Sequence, residues 1–379
     1  MTLRCEGDRI VAMGDDDPHL TGGARIVNFE NAFAIPGLID CHVHMALDPS
    51  QSVAKQQQNS PRVIQPGMKA RAEQMVRCGI TTARDLGAAD WSALALRDQI
   101  AAGQLPGPRL LCAGQPLTSP GGHCHFWGGE AGSLGAIEEV IARQLGHGVD
   151  WIKVMATGGV ATQGTTPAAP QFDRLMLEAI VRRASAAGRF VAAHCHGTSG
   201  IRNAAQSGIR TIEHCSFAGQ GGFGTDFDPA VVDALSAAHT WVSPTVNAGW
   251  ERRRQVEGKP SGFFRRMSNV LQRVVAAGVP LIASTDAGIP GVYHHRLAEG
   301  LLAMQAYTGL DAEAVLRCAT VDAAHALDIG HETGRLAPGL SADIMIIPAD
   351  ASVFLTNLLR PIAVFARGRE VSPLPFAER

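Results

Sequence analysis

Short apolar runs recur along the chain, each ending in polar or glycine-rich residues and then a segment of helical periodicity. Eight are evident: residues 33–45 (FAIPGLIDCHVHM), 80–86 (ITTARDL), 109–114 (RLLCAG), 150–155 (DWIKVM), 190–196 (FVAAHCH), 211–215 (TIEHC), 240–245 (TWVSPT) and 280–286 (PLIASTD). Apolar runs bounded by turn residues predict buried strands. Between them, helical spacing predicts helices over 67–78, closing at Gly79, over 173–187, from an Asp173 cap to Gly188, and over 268–277, from Ser268 to Gly278. Strands alternating with helices predict an α/β fold with parallel pairing and right-handed crossovers. Eight strands close a (β/α)8 TIM barrel of about 250 residues, and residues 33–332 leave room for one with long loops. An open doubly wound sheet would also take eight strands, but no Gly-rich fingerprint follows the first.

The two ends pattern differently. Residues 1–32 and 333–379 hold short strand-like pieces such as GDRIVAMG, ARIVNFEN and PIAVFARGREV. Neither end can bury a core alone, so both are expected to form one small β-sandwich domain beside the barrel.

Composition narrows the class. Of 379 residues, 46 % are hydrophobic and 18 % charged, which provides for a sizeable core. A net charge of -2 gives no electrostatic case for nucleic acid or an anionic membrane surface. No apolar run is long enough for a membrane span, and the N-terminal segment lacks the apolar core of a signal peptide. Eight scattered cysteines include no CxxC pair and no disulfide framework. The expectation is a cytoplasmic protein with no nucleic-acid or membrane partner; a homo-oligomer remains an option.

One residue is out of place. The chain has four lysines, and Lys153 alone sits inside an apolar strand, flanked by Ile152 and Val154. Burying an ammonium is costly unless it is paired or changes its chemistry. Strand alternation puts Lys153 on one face with Trp151 and Met155. The same parity pairs His42 with His44 and His194 with His196, while Cys41, Cys195 and Cys215 face away into the packing. His214 and Asp286 close the sixth and eighth strands. All lie at the C-terminal strand ends, where barrel enzymes build their sites. A single buried histidine is more often a hydrogen-bonded core residue than a ligand. Two HxH pairs with a further histidine and an aspartate, all at strand ends, point instead to divalent metal.

PGLIDCHVHM, GITTARDLG, IKVMATGGV, AAHCHG, TIEHCS, ASTDAG and the closing GRLAPGLSADIMII together resemble the motifs of the amidohydrolase superfamily. The likeness covers nearly the whole chain and is strongest to imidazolonepropionase-like and prolidase-like members. It implies two divalent metal ions, usually zinc. His42 and His44 match the first ligand pair, and Lys153 matches a lysine that reacts with CO2 to give a bridging carbamate. His194 and His214 match the ligands of the second metal. Asp286 matches the aspartate that binds the first metal and handles protons. In HCH, His194 aligns with the ligand and His196 suits substrate contact. His123 matches a histidine that meets the substrate carbonyl, and Tyr293, beside His294 and His295, is a further substrate candidate.

The implied reaction is hydrolysis of an amide or peptide C–N bond by a metal-bridging hydroxide, on a dipeptide or N-acyl amino acid. Deaminases of the superfamily generally bind one metal without the lysine carbamate, so Lys153 argues against that branch. A cyclic amide is the alternative substrate, and a non-catalytic scaffold is the third reading, although no ligand position is missing. The arginines of WERRRQVEGK read first as a solvated helix face; alternatively one grips a substrate carboxylate. The loops over 45–66 and GGVATQGTTPAAPQF are candidate lids.

Overall fold

The computed structural model describes residues 1–15, 20, 22–56, 58 and 61–375, so parts of the 45–66 loop and of both end segments lie outside the described residues. The strands are β1 (Thr2–Glu6), β2 (Arg9–Gly14), β3 (Ala32–Pro36), β4 (Leu38–Val43), β5 (Ile80–Asp85), β6 (Arg109–Cys112), β7 (Trp151–Met155), β8 (Phe190–Gly197), β9 (Thr211–Ala218) and β10 (Trp241–Ser243), then β11 (Gln255–Val256), β12 (Lys259–Pro260), β13 (Ile344–Pro348), β14 (Ala363–Ala366) and β15 (Arg369–Val371). Strands β4, β5 and β6 form one parallel sheet, and β7 to β10 form another.

Single bridges join the two sheets. Leu117 N donates to Lys153 O and Met155 N donates to Leu117 O, both at 2.8 Å. On the other side, Pro280–Ala287 accepts from Val242 N and donates through Ile282 N to Val242 O. The same segment accepts from Cys41 N at Ala283 and donates through Asp286 N to His42 O. This eighth segment therefore joins β10 to β4 by bridges instead of a continuous ladder. The fold is an α/β TIM barrel.

The first apolar run is divided. At Gly37 an added Cβ would lie 2.1 Å from Thr81 Oγ1, so the backbone turns where only glycine fits. Residues 32–36 leave the barrel there and pair with β13 in the antiparallel sheet β15-β14-β13-β3. The first barrel strand thus begins at Leu38, not residue 33. The β1–β2 hairpin joins this end of the molecule through Ile10 N to Leu340 O and Ala342 N to Asp8 O. Ile10, Ala342, Ile344, Ile346 and Ala363 pack into one small core.

Helix Arg174–Ala186 starts where its cap predicts, with Asp173 accepting from Met176 N. The helix expected from Ser268 starts two turns earlier, as Gly262–Ala276. Ser261 caps it by accepting from Phe264 N, and Ser268 is buried on the inner face with Met267, Leu271 and Val274. Helix 67–78 likewise begins earlier, as Pro61–Arg77.

A polar tie fastens the barrel to the C-terminal strands. Arg109 on β6 donates to Asp343 Oδ2 at 2.9 Å, Glu332 Oε1 at 3.1 Å and Ser341 Oγ at 3.1 Å. Asp343 is buried, so losing the guanidinium removes the cation hydrogen-bonded to its carboxylate. Arg109→Met is expected to lower unfolding stability by about 3 kcal/mol in a urea titration. An unchanged midpoint would show that the tie contributes nothing.

Candidate active site

Strand alternation fails at the barrel mouth, and the failure assembles the site. The β4–β5 ladder shifts between Asp40 and Val43. On β9, His214 and Cys215 take left-handed backbone conformations (φ 70° and 46°), so Glu213 and His214, adjacent in sequence, both reach the barrel centre. Asp286 is also left-handed, at φ 61°. Such conformations cost energy in non-glycine residues and persist only where the surroundings enforce them. Asp40 is one such constraint: its carboxylate accepts from His42 N, Thr285 N and Thr285 Oγ1, fastening the first strand to the eighth segment. Asp85 does the same for the β4 loop, accepting from Met45 N and Gly87 N.

Each candidate ligand ring has one nitrogen occupied. His42 Nδ1–H donates to Glu213 Oε2 at 3.0 Å and His44 Nδ1–H to the Gly87 carbonyl at 2.7 Å. Both acceptors lack protons, so in the neutral rings each Nε2 is a bare lone pair. These two Nε2 atoms lie 3.2 Å apart, and Asp286 Oδ1 lies 3.2 and 3.3 Å from them. Three acceptors at that spacing repel without a cation. A tetrahedron with bonds of about 2.0 Å has edges of about 3.3 Å, so the triangle fits one zinc-sized ion. His194 is turned the other way: Nε2–H donates to Gly158 O at 3.1 Å, leaving Nδ1 as the lone pair. His214 Nδ1 shares a hydrogen bond with Thr245 Oγ1, leaving Nε2.

Two groups of donor atoms within 4.8 Å result, His42 with His214 and Asp286, and His194 with His196 and His214. His214 belongs to both. His196 stands beside the second group: its Nδ1 bonds Ser216 Oγ, and its ring stacks on His214 and on Phe223 at centroid distances of 4.4 and 4.9 Å. Lys153 lines the same cavity, 1 % exposed, and among the described residues its ammonium has no hydrogen bond or ion pair. His123 lines the cavity too, held by Thr162 Oγ1 with its ring 4.5 Å from His194.

Tyr293 is not brought in: it is exposed against His295 and outside the cavity lining. His125 also lies outside that lining, and buried His294 braces the site from behind by donating from Nε2 to His44 O. Cys41, Cys195 and Cys215 are buried; Cys41, after the ladder shift, packs with Ile39, Trp151 and Ala192.

The cavity measures about 900 Å³. Phe126, Trp127, Met155, Phe223, Trp250 and Phe263 give it apolar walls. Arg252 and Arg253 also line it, neither with an acidic partner among the described residues.

A sequence model of the amidohydrolase family matches residues 33–371. The chain belongs to the amidohydrolase family. It is 26 % identical over 375 residues to ochratoxinase from Aspergillus niger, covering 89 % of this chain and 73 % of that one. Among solved structures, a prolidase complexed with N-methylphosphonate-L-proline superimposes with TM-score 0.78 at 25 % identity, covering 98 % and 94 % of the two chains. A Xaa-Pro dipeptidase with bound methionine superimposes with TM-score 0.80 at 23 % identity, covering 96 % and 93 %. This amidohydrolase is a metal-dependent hydrolase. Among its described residues no helix is long and apolar enough to cross a membrane.

Sequence parity misses Glu213 and Arg84, both fully buried near the site. A charged residue inside an otherwise apolar run is the signal that finds them, as it finds Lys153.

Burial sets the protonation of the amidohydrolase site. It pushes Lys153 down to about 8, His123 to about 4 and His196 to about 3, and takes His194 and His214 well below 6.5. Each such histidine stays neutral in the fold while the unfolded chain binds a proton. Its contribution is complete above about pH 6.5 and is lost as pH falls through the folded value. Asp40, raised to about 7 by burial, and Asp85, raised by the same cause, act in the opposite sense, two carboxyls against these four histidines and His294, which burial lowers to about 3. Metal-stripped protein is therefore expected to lose unfolding stability progressively from about pH 6.5 to 4. Denaturant midpoints across that range test this, and a flat profile would contradict the neutral-histidine assignment.

Proposed function

We propose that this amidohydrolase cleaves the amide C–N bond of an N-acyl amino acid or dipeptide, at a centre that would hold two zinc ions, with Lys153 carboxylated to a carbamate that would serve as a further ligand. The observation that carries this is a buried, unpaired lysine amine among four histidines whose free lone pairs face one cavity. His42, His44 and Asp286 would hold one ion and His194 with His214 the other. When bound, the ions would acidify a water and polarise the scissile carbonyl.

The amine is prepared for carboxylation. With its pKa near 8, about 10 % is neutral at pH 7, against about 0.03 % for an ordinary lysine. Only the neutral amine attacks CO2, forming an N–C bond and releasing a proton.

The chain's own groups supply the remaining steps. The Asp286 carboxylate takes the proton of the attacking water and returns it to the leaving nitrogen, as base and then acid. His123 and His196 are oriented by Thr162 and Ser216 and stand beside the ligands, where a substrate carbonyl would lie. Arg252 and Arg253 offer charge-assisted hydrogen bonds to a substrate carboxylate. Among the described residues, their only acidic counterweight in the lining, away from the donor cluster, is Asp90, whose Oδ1 is taken up by Ser92 N and Oγ. A cavity of about 900 Å³ is at the upper end of ligand sites, large for a small ring amide and suited to two joined residues with apolar side groups. The amino-acid-derived ligands in the prolidase and dipeptidase structures support the same class.

Lys153→Ala is expected to abolish turnover, with part restored by short carboxylic acids and added zinc; undiminished turnover would sink the carbamate. Arg252→Ala with Arg253→Ala should raise KM for a carboxylate substrate about 10- to 100-fold, the value of a lost charged hydrogen bond. The same pair should leave KM for the C-terminally amidated substrate unchanged. Equal effects on both substrates would show that these arginines do not read the carboxylate.

A further inference from the structure

Beneath the site lies an ion pair that the proposed reaction does not use. Arg84 on β5 and Glu213 on β9 are both fully buried. Arg84 Nη2 donates to Glu213 Oε1 at 2.8 Å, its Nη1 to Thr211 Oγ1 at 3.0 Å, and its Nε to the Cys41 carbonyl at 2.8 Å. Thr211 Oγ1 donates to Glu213 Oε1 at 2.6 Å. The guanidinium also lies 4.4 Å over the Trp151 ring. One carboxylate oxygen is thus held by two donors, and the other, Oε2, is turned, among the described residues, to His42 Nδ1 alone.

A buried ion pair is a poor way to stabilise a fold, because desolvation offsets most of the attraction and apolar residues of like volume often do as well. What the pair achieves that apolar residues cannot is a fixed anion against one ring nitrogen. That anion selects the tautomer of His42 and strengthens electron donation at its Nε2. Arg84 in turn fixes the rotamer of Glu213 and keeps its charge in place. We infer that Arg84 and Glu213 are positioning residues that set the metal affinity of the His42–His44–Asp286 site, acting through His42.

This inference rests on the metal-centre reading, and the test separates the two. Zn²⁺ binding to the full-length protein is measured by competition with a chromogenic chelator, beside the unfolding midpoint of each metal-free variant. Glu213→Gln keeps an acceptor but loses the charge, and should weaken one of two zinc equivalents about 10-fold. Arg84→Met with Glu213→Leu removes the charges together and leaves no acceptor; the same equivalent should weaken about 100-fold. The double variant leaves no unpaired buried charge, so its midpoint should equal or exceed that of Glu213→Gln, while its affinity is lower. A merely structural pair would move stability and affinity in parallel. If the double variant folds and binds both equivalents as tightly as wild type, the positioning role is wrong and the metal reading stands. If wild type itself binds no zinc, both fall. Should Glu213→Gln fail to fold, the double variant alone decides.

Discussion

The structure is organised around ring nitrogens and a carboxylate oxygen that converge on one point. His42 Nε2, His44 Nε2 and Asp286 Oδ1 stand about one tetrahedral edge apart, and the Nδ1 of each ring is already turned to another acceptor. Left alone such a cluster would spread or pick up protons. Burial opposes protonation of His194, His196 and His214. Much of the surrounding architecture opposes spreading. Gly87 O, Glu213, Gly158 O and Thr245, from four places on the barrel rim and interior, each fix one ring.

That demand also explains where the backbone is irregular. A regular strand presents alternate residues to one side, too sparsely to aim this many side chains at one point. The left-handed residues at His214, Cys215, Phe217, Thr245 and Asp286 all fall at strand ends around the mouth. Each costs conformational energy. Asp40, with three donors from His42 and Thr285, and Asp85, with two more, are buried groups that hold these ends in place. Rigidity is thus concentrated where the donor atoms must not move.

Much of this was legible in the sequence. The eight apolar runs were visible because a barrel strand is buried on both faces, and the histidines were visible because they interrupt those runs. Other features were hidden for physical reasons. The division at Gly37 depends on a tertiary contact with Thr81 that no local pattern encodes. The early start of helix Gly262–Ala276 follows from Ser261 competing with Ser268 for the cap, decided by which face of the helix is buried. Glu213 was hidden because period-2 reasoning sends neighbours to opposite sides, and φ 70° at His214 cancels it. Tyr293 was misleading because a loop residue close in sequence to Asp286 need not turn towards it.

The interior of one barrel finally shows two answers to a buried cation. The chain has 29 arginines and four lysines, yet a lysine stands at position 153. Arginine is effectively never deprotonated, so a buried guanidinium must be paired. Arg84 is, by Glu213, with Cys41 O and Thr211 taking its remaining hydrogen bonds. Lysine can instead give up its proton, and burial drives Lys153 towards that outcome although Glu213 and Asp286 both favour its charged form. A guanidinium at 153 would remain a cation and repel the ions that the donor cluster calls for. An amine becomes neutral and then nucleophilic, so the residue that is costly to bury as an ion is the one whose burial makes it reactive.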